Sequence, residues 1–218
     1  MKYGTRFGRW IPPPVLAVMM VLTLPGVSLA DRANPPSGMT GSPASFGDSC
    51  VLCHGSAAGS GMVEILGLPA LYQADQVYDL IVRVSDPAQT GAGFQISAED
   101  TLGNHVGTLI VVDNFNTRFN QPSGDGMNWI NHTFDGVTNS VFNWGSNGNA
   151  AEYSLQWQAP GGDMGPITFY AAGTAIDNNS SLFGDLVYLT SVPEPSTFLS
   201  LSCGIIGLAA LSMLHNRP

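Results

Sequence analysis

Cys50-Val51-Leu52-Cys53-His54 is the one stretch of this 218-residue chain whose side-chain types and spacing together specify a chemistry. Two thiols at this spacing can bond as thioethers to the two vinyl groups along one edge of a porphyrin. The next residue is then carried beneath the iron, where a neutral imidazole nitrogen binds axially. The pattern is that of a c-type haem attachment site, with Cys50, Cys53 and His54 binding the cofactor and His54 ligating iron. Two other chemistries use the same residues. The cysteines can pair as a disulfide, which closes too small a loop to add much stability. They can also form half of a zinc site, for which the remaining domain offers only His105 and His132 and no second cysteine pair.

A second axial ligand has several candidates. His132 lies among Trp129, Ile130 and Phe134, an apolar setting that suits a haem edge and equally suits a core histidine. Met39 and Met62 carry thioether sulfur, which as an iron ligand raises the potential, but both stand in Gly- and Ser-rich stretches that predict mobility. His105, in Gly103-Asn104-His105, reads as a solvated turn residue. An open sixth position is a further alternative. No Gly-x-Ser-x-Gly elbow occurs, and Asp125, Asp135 and Asp163 fall where aspartate serves turn geometry. Asp185, after Gly184, reads as an Asx-type contact at a strand start; calcium there lacks the run of alternating acids that an ion loop requires. No hydrolytic or transferase constellation is present, so the chain is read as non-enzymatic, with a redox role left open. A thiol oxidoreductase would need a βαβ context around the pair, which the flanking residues do not supply.

These residues must be delivered somewhere, and the two ends of the chain say where. Lys2, Arg6 and Arg9 precede an apolar run, Val15 to Leu24, and then Ser28-Leu29-Ala30. A basic start, a short apolar middle and a small-x-small exit describe a signal peptide over residues 1–30, hence export. At the other end Pro193-Glu194-Pro195 is followed by an apolar stretch, Phe198 to Leu214, and then Arg217. That stretch is near the short limit for a transmembrane helix. Its Gly204, Gly207, Ala209 and Ala210 suit a membrane helix, and Arg217 favours a cytoplasmic end. Cys203 belongs to this tail. The whole chain has 7 basic and 16 acidic residues, and no lysine follows Lys2, so its surface repels phosphate backbones and argues against nucleic-acid partners.

Between the ends, residues 31–49 are rich in Pro, Gly and Ser and read as a flexible leader. Tyr78, Leu80, Val82 and Val84 alternate with Asp79 and Arg83, a period of two that predicts a half-buried strand. Phe94, Ile96 and Ala98 alternate with Gln95 and Ser97 in the same way. Tyr153, Leu155 and Trp157 alternate with Ser154, Gln156 and Gln158. Further strands are expected at 107–112, 128–134, 167–172 and 186–190, separated by Gly, Asn, Asp and Pro. Only 63–71 hints at a helix. Phe94, Trp157, Phe169 and Tyr188 are predicted core. The expectation is an all-β chain: one immunoglobulin-like sandwich of about seven strands over 50–191, flanked by the signal peptide and a transmembrane tail at 192–218.

Two resemblances follow from these residues. Pro193-Glu194-Pro195 with its apolar helix and basic end resembles the PEP-CTERM sorting signal of bacteria. That resemblance implies an exosortase and the inner membrane as partners, and delivery to the cell surface or extracellular matrix. Gly93-Phe94-Gln95, Gly103, Gly107-Thr108, Asn131-His132-Thr133, Trp157-Gln158-Ala159-Pro160, 167–173 and 184–188 together resemble the reelin-like domains labelled choice-of-anchor V. That group often carries Cys-x-x-Cys-His at this place. The turn Gln73-Ala74-Asp75 departs from its usual Pro-Gly, and 115–128 has no counterpart in it. The resemblance implies a reelin-like β-sandwich bearing haem c, working in electron transfer or sensing with a redox partner or within exopolysaccharide. The alternative is a structural or adhesive matrix module in which Cys50 and Cys53 form a disulfide and loops such as 143–150 and 178–181 bind carbohydrate or protein.

Overall fold

Period-two patterning dominates the domain, and the computed structural model, which describes residues 35–55, 59–120 and 129–194, is built almost entirely of strands. Among the described residues nine strands form, β1 (Met62–Leu66), β2 (Val77–Ser85), β3 (Gly91–Glu99), β4 (Thr108–Ile110), β5 (Thr117–Asn120), β6 (Trp129–His132), β7 (Ala150–Gln158), β8 (Thr168–Ile176) and β9 (Leu186–Pro193). One helix, α1 (Phe134–Asn143), stands between β6 and β7. The strands make two antiparallel sheets, ordered β1-β2-β7-β4 and β5-β6-β3-β8-β9. This is a two-sheet sandwich, as the alternation requires, with more strands than expected.

The core fills the space between the sheets. Leu80 pairs with Leu155 and Val82 with Tyr153 on one sheet; Ile96 pairs with Ala171 and Ala98 with Phe169 on the other. Phe94 stacks on Tyr153 at 4.4 Å between ring centroids, and Trp157 meets Phe169 edge-on at 5.0 Å. Burying each such side chain contributes roughly 1.5–3 kcal/mol. The polar tips are satisfied: Tyr153 donates to the Ala92 carbonyl and Trp157 Nε1 to that of Val106. All four predicted core aromatics are buried.

Three local readings are corrected. The stretch 63–71 is not helical: Val63 and Ile65 point inward from β1 in strict alternation, and Gly67 ends the strand at positive φ. The strand expected at 128–134 stops at His132, because Thr133 caps α1 by accepting a hydrogen bond from the Gly136 N–H at 2.8 Å. The unplaced segment 115–128 contains β5, which extends the second sheet beyond β6. Gly136 permits α1 to lie on that neighbourhood, since a Cβ there would stand 2.2 Å from the Asn116 carbonyl oxygen.

The largest correction concerns 31–49. From residue 35 onward this segment is a strap laid on the outer face of the five-stranded sheet, not a flexible leader. Thr40 bridges Ser49, and Thr40, Ser42, Ser45 and Ser49 are buried. The reason lies in β3, whose outward residues are polar. Gln95 accepts from the Met39 N–H and donates to the Pro36 carbonyl, and Glu99 accepts from the Ala44 N–H at 2.9 Å. A Ser- and Gly-rich composition, read as a linker, thus supplies hydroxyls and bare backbone to groups that would otherwise be buried unpaired. The signal-peptide and transmembrane readings, and Pro195, lie outside the described residues. Among the described residues no helix is long and apolar enough to cross a membrane. Pro193 closes β9 and Glu194 is buried, its N–H donating to the Ile167 carbonyl, so the sandwich runs past the expected boundary at 191.

Candidate functional site

The strap ends in a single 3₁₀ turn, Cys50–Leu52, capped by Ser49, whose hydroxyl faces the Val51 N–H. The N–H groups of Cys53 and His54 both return to the Cys50 carbonyl. In this geometry residues three apart lie one above the other. Cys50 and Cys53 are accordingly both half-buried, while Leu52 between them is exposed. Both cysteines are thiols rather than a disulfide. The Cys50 thiol donates to the Met39 carbonyl at 3.6 Å. Burial holds it above the ordinary thiol value, outweighing the hydrogen bond with Thr174 that works the other way. A raised thiol is the opposite of what a redox-active cysteine needs.

His54 is held from the far end of the chain. Its Nδ1 lies 2.7 Å from Oδ2 of Asp185, which stands immediately before β9 and is buried. The other oxygen of Asp185 accepts from the Asp177 N–H at 3.3 Å, a bond that closes the loop between β8 and β9 rather than the local Asx-type contact expected at this strand start. A carboxylate only accepts, so Nδ1 of the neutral ring carries the proton and Nε2 presents a lone pair. This is the arrangement in which metal-binding histidines are fixed: one nitrogen pinned, the other left for the metal.

A cavity of about 300 Å³ opens beside the turn, on the outer face of the five-stranded sheet. Cys50, Cys53, His54, His132 and Met39 all line it, together with Asp185. The sandwich therefore gathers the sequence-predicted cysteines and histidine, the candidate second ligand His132 and one of the two candidate methionines. Met62 is left out: it sits half-exposed on β1 of the other sheet. His105 is not a solvated turn residue but half-buried, edge-on to Trp129 at 4.8 Å. The loop 178–181, expected as a separate display surface, forms part of the cavity rim. Among the described residues no three His, Cys, Asp or Glu side chains cluster closely enough to hold a metal ion by themselves, which leaves the zinc reading without a ligand set there.

His132 ends β6 with its ring folded over Gly93, where a Cβ would come within 2.6 Å of the imidazole. The Phe94 N–H donates to its Nδ1 at 2.9 Å. Asp185 and the strap are the parts of the site that sequence reasoning missed. Asp185 is 131 residues from His54 and carries no local signal beyond a strand-start aspartate.

No family model matches the chain, and no curated protein matches it. Solved structures similar to it include the human F-spondin reeler domain, 16% identical over 64% of this chain and 91% of that one, at a TM-score of 0.39. The Reelin-N domain of F-spondin is 15% identical over 63% and 87%, at 0.38. AvmM, which catalyses macrocyclization in alchivemycin A biosynthesis, is 11% identical over 64% and 90%, also at 0.39. A reeler domain and a cyclisation enzyme stand at the same score. The sandwich rests on the strand register described above, and the function has to be argued from the site.

Proposed function

We propose that this chain is an exported, surface- or matrix-associated β-sandwich that carries one covalent haem c on the face covered by its strap. Cys50 and Cys53 would hold the macrocycle edge as thioethers, each S–H adding across a vinyl C=C so that sulfur bonds one carbon and the proton goes to the other, and His54 would supply an imidazole nitrogen to the iron. The observation that carries the reading is the 2.7 Å contact between His54 Nδ1 and Asp185, which fixes the tautomer that a metal ligand requires, beside two thiols lining the same cavity. The donor set fits the group: two thiols on one edge, one oriented imidazole, and a cavity at the low end of the range for cofactor sites with an exposed rim at Asn178 to Ser180. When bound, the haem supplies a one-electron couple, and the protein's business is electron transfer or sensing. Export and sorting belong to the same reading and are supported by the sequence: the signal peptide, Pro193-Glu194-Pro195 and the apolar tail imply exosortase processing at the inner membrane, then the cell surface or exopolysaccharide.

The test is to produce the full chain alongside a cytochrome c maturation system and to record its absorption spectrum, pyridine haemochrome and mass. One haem per chain is expected, adding roughly six hundred daltons, and the Cys50→Ser, Cys53→Ser double variant emerges colourless. A colourless wild-type protein lighter by two hydrogens would instead assign the chain to the adhesive or structural class, with Cys50 and Cys53 paired.

A further inference from the structure

Two side chains besides His54 bring a candidate iron donor to the cavity, and the hydrogen bonds around them separate the two. At His132 the Phe94 N–H points at Nδ1 at 2.9 Å, and the Phe94 carbonyl lies 3.1 Å from the same nitrogen. The amide proton is fixed by the backbone, whereas the imidazole proton can sit on either nitrogen. Accepting from the amide commits the Nδ1 lone pair and leaves the ring proton on Nε2; ligation through Nε2 would require that proton to move to Nδ1, toward the Phe94 carbonyl, at the cost of the amide contact. This tautomer is the reverse of that at His54, and a protonated Nε2 has no lone pair for a metal.

Met39 has no such obstacle, since a thioether needs no deprotonation and is a soft donor. Its backbone is anchored at the N–H, which donates to Gln95 Oε1 at 2.6 Å, a contact that thioether formation at Cys50 leaves in place. Gln95 also donates to the Pro36 carbonyl at 2.9 Å, so one buried amide clamps the strap at two points. Apart from the two cysteines, Met39 brings the only sulfur among the described residues lining the cavity. Resting on the haem reading, we propose that Met39, and not His132, supplies the second axial ligand. The strap would then be part of the cofactor site as well as of the fold, and a ligand set of one imidazole and one thioether would raise the potential of the iron.

The experiment uses the full chain with haem attached and two variants. Met39→Leu keeps an apolar side chain of similar volume and removes the sulfur. His132→Asn keeps an acceptor for the Phe94 N–H and removes Nε2. The wild-type protein is expected to be low-spin, with the weak far-red ferric band of sulfur-to-iron charge transfer and a ferrous form slow to take up carbon monoxide. Met39→Leu loses the band, turns high-spin and binds carbon monoxide readily; His132→Asn retains the wild-type spectrum. Met39→His restores the low-spin state without the far-red band, which separates ligation from packing. Low-spin character that survives in Met39→Leu, or that disappears in His132→Asn, overturns the assignment, as does a high-spin wild-type protein. A wild-type protein with no Soret band ends the haem reading itself, and this proposal with it.

Discussion

The two sheets present the same alternating grammar to the outside and meet opposite fates there. On the four-stranded sheet the outward residues of β2 and β7 face water: Arg83 reaches Glu152 at 2.7 Å, and Gln156 donates to Asp79, all on exposed surface. On the five-stranded sheet Gln95, Ser97, Glu99 and Thr174 also point away from the core, yet each is buried. The strap makes the difference. Polar alternation tells which side of a strand avoids the apolar core, and it leaves open whether solvent or chain lies beyond. The candidate site stands on the covered side, where a second layer of backbone can hold its side chains still.

The sharpest way to break this comparison is to remove the same residue type from each face. Glu99→Ala strands the Ala44 N–H and the Ser97 hydroxyl beneath the strap. It should cost about 2 kcal/mol, read by chemical denaturation. An intermediate effect comes from the seam between the sheets, where Tyr188 donates to Asp86 across a very short contact and accepts from the Gly61 N–H. Burial, followed by the Asp86 carboxylate, pushes the phenol from 10.0 up to about 12. The folded state favours the neutral form, so this contribution is complete below pH 10 and is lost as pH rises from 10 to 12. The loss is on the order of 1–2 kcal/mol. Tyr188→Phe removes that alkaline limb. The smallest effect belongs to the exposed sheet: Glu152→Ala changes stability by less than about 0.5 kcal/mol, and added salt erases even that. Equal costs for Glu99→Ala and Glu152→Ala would show that the strap does not seal its face.

Much of this was legible beforehand, and what was not has physical causes. The inward faces of β2, β3 and β7 follow from period-two patterning because large apolar side chains alternate there without interruption. Cys50, Cys53 and His54 are legible because their chemistry depends on spacing along the chain. Helix α1 was missed because its buried residues, Gly136, Val137 and Ser140, are small or polar and leave no apolar stripe. The cue that could have found it is Thr133 ahead of Asp135, a cap and a first-turn acid. The strap was missed because serine and glycine have the same composition whether they are solvated or laid on a polar sheet. Asp185 carries no sequence signal for its partner, since its hold on His54 exists only once β9 has paired with β8.

That last strand has a mechanical consequence. Asp185 stands just ahead of the first residue of β9, and Glu194 just behind its last. Sliding the strand by one residue moves it roughly 3.3 Å, more than the whole 2.7 Å span between Asp185 and His54. The carboxylate that aims the imidazole is therefore kept in place by the ladder of β9 on β8, which runs from Thr168 opposite Pro193 to Ala175 opposite Leu186, and a slip of one position along it would release the histidine.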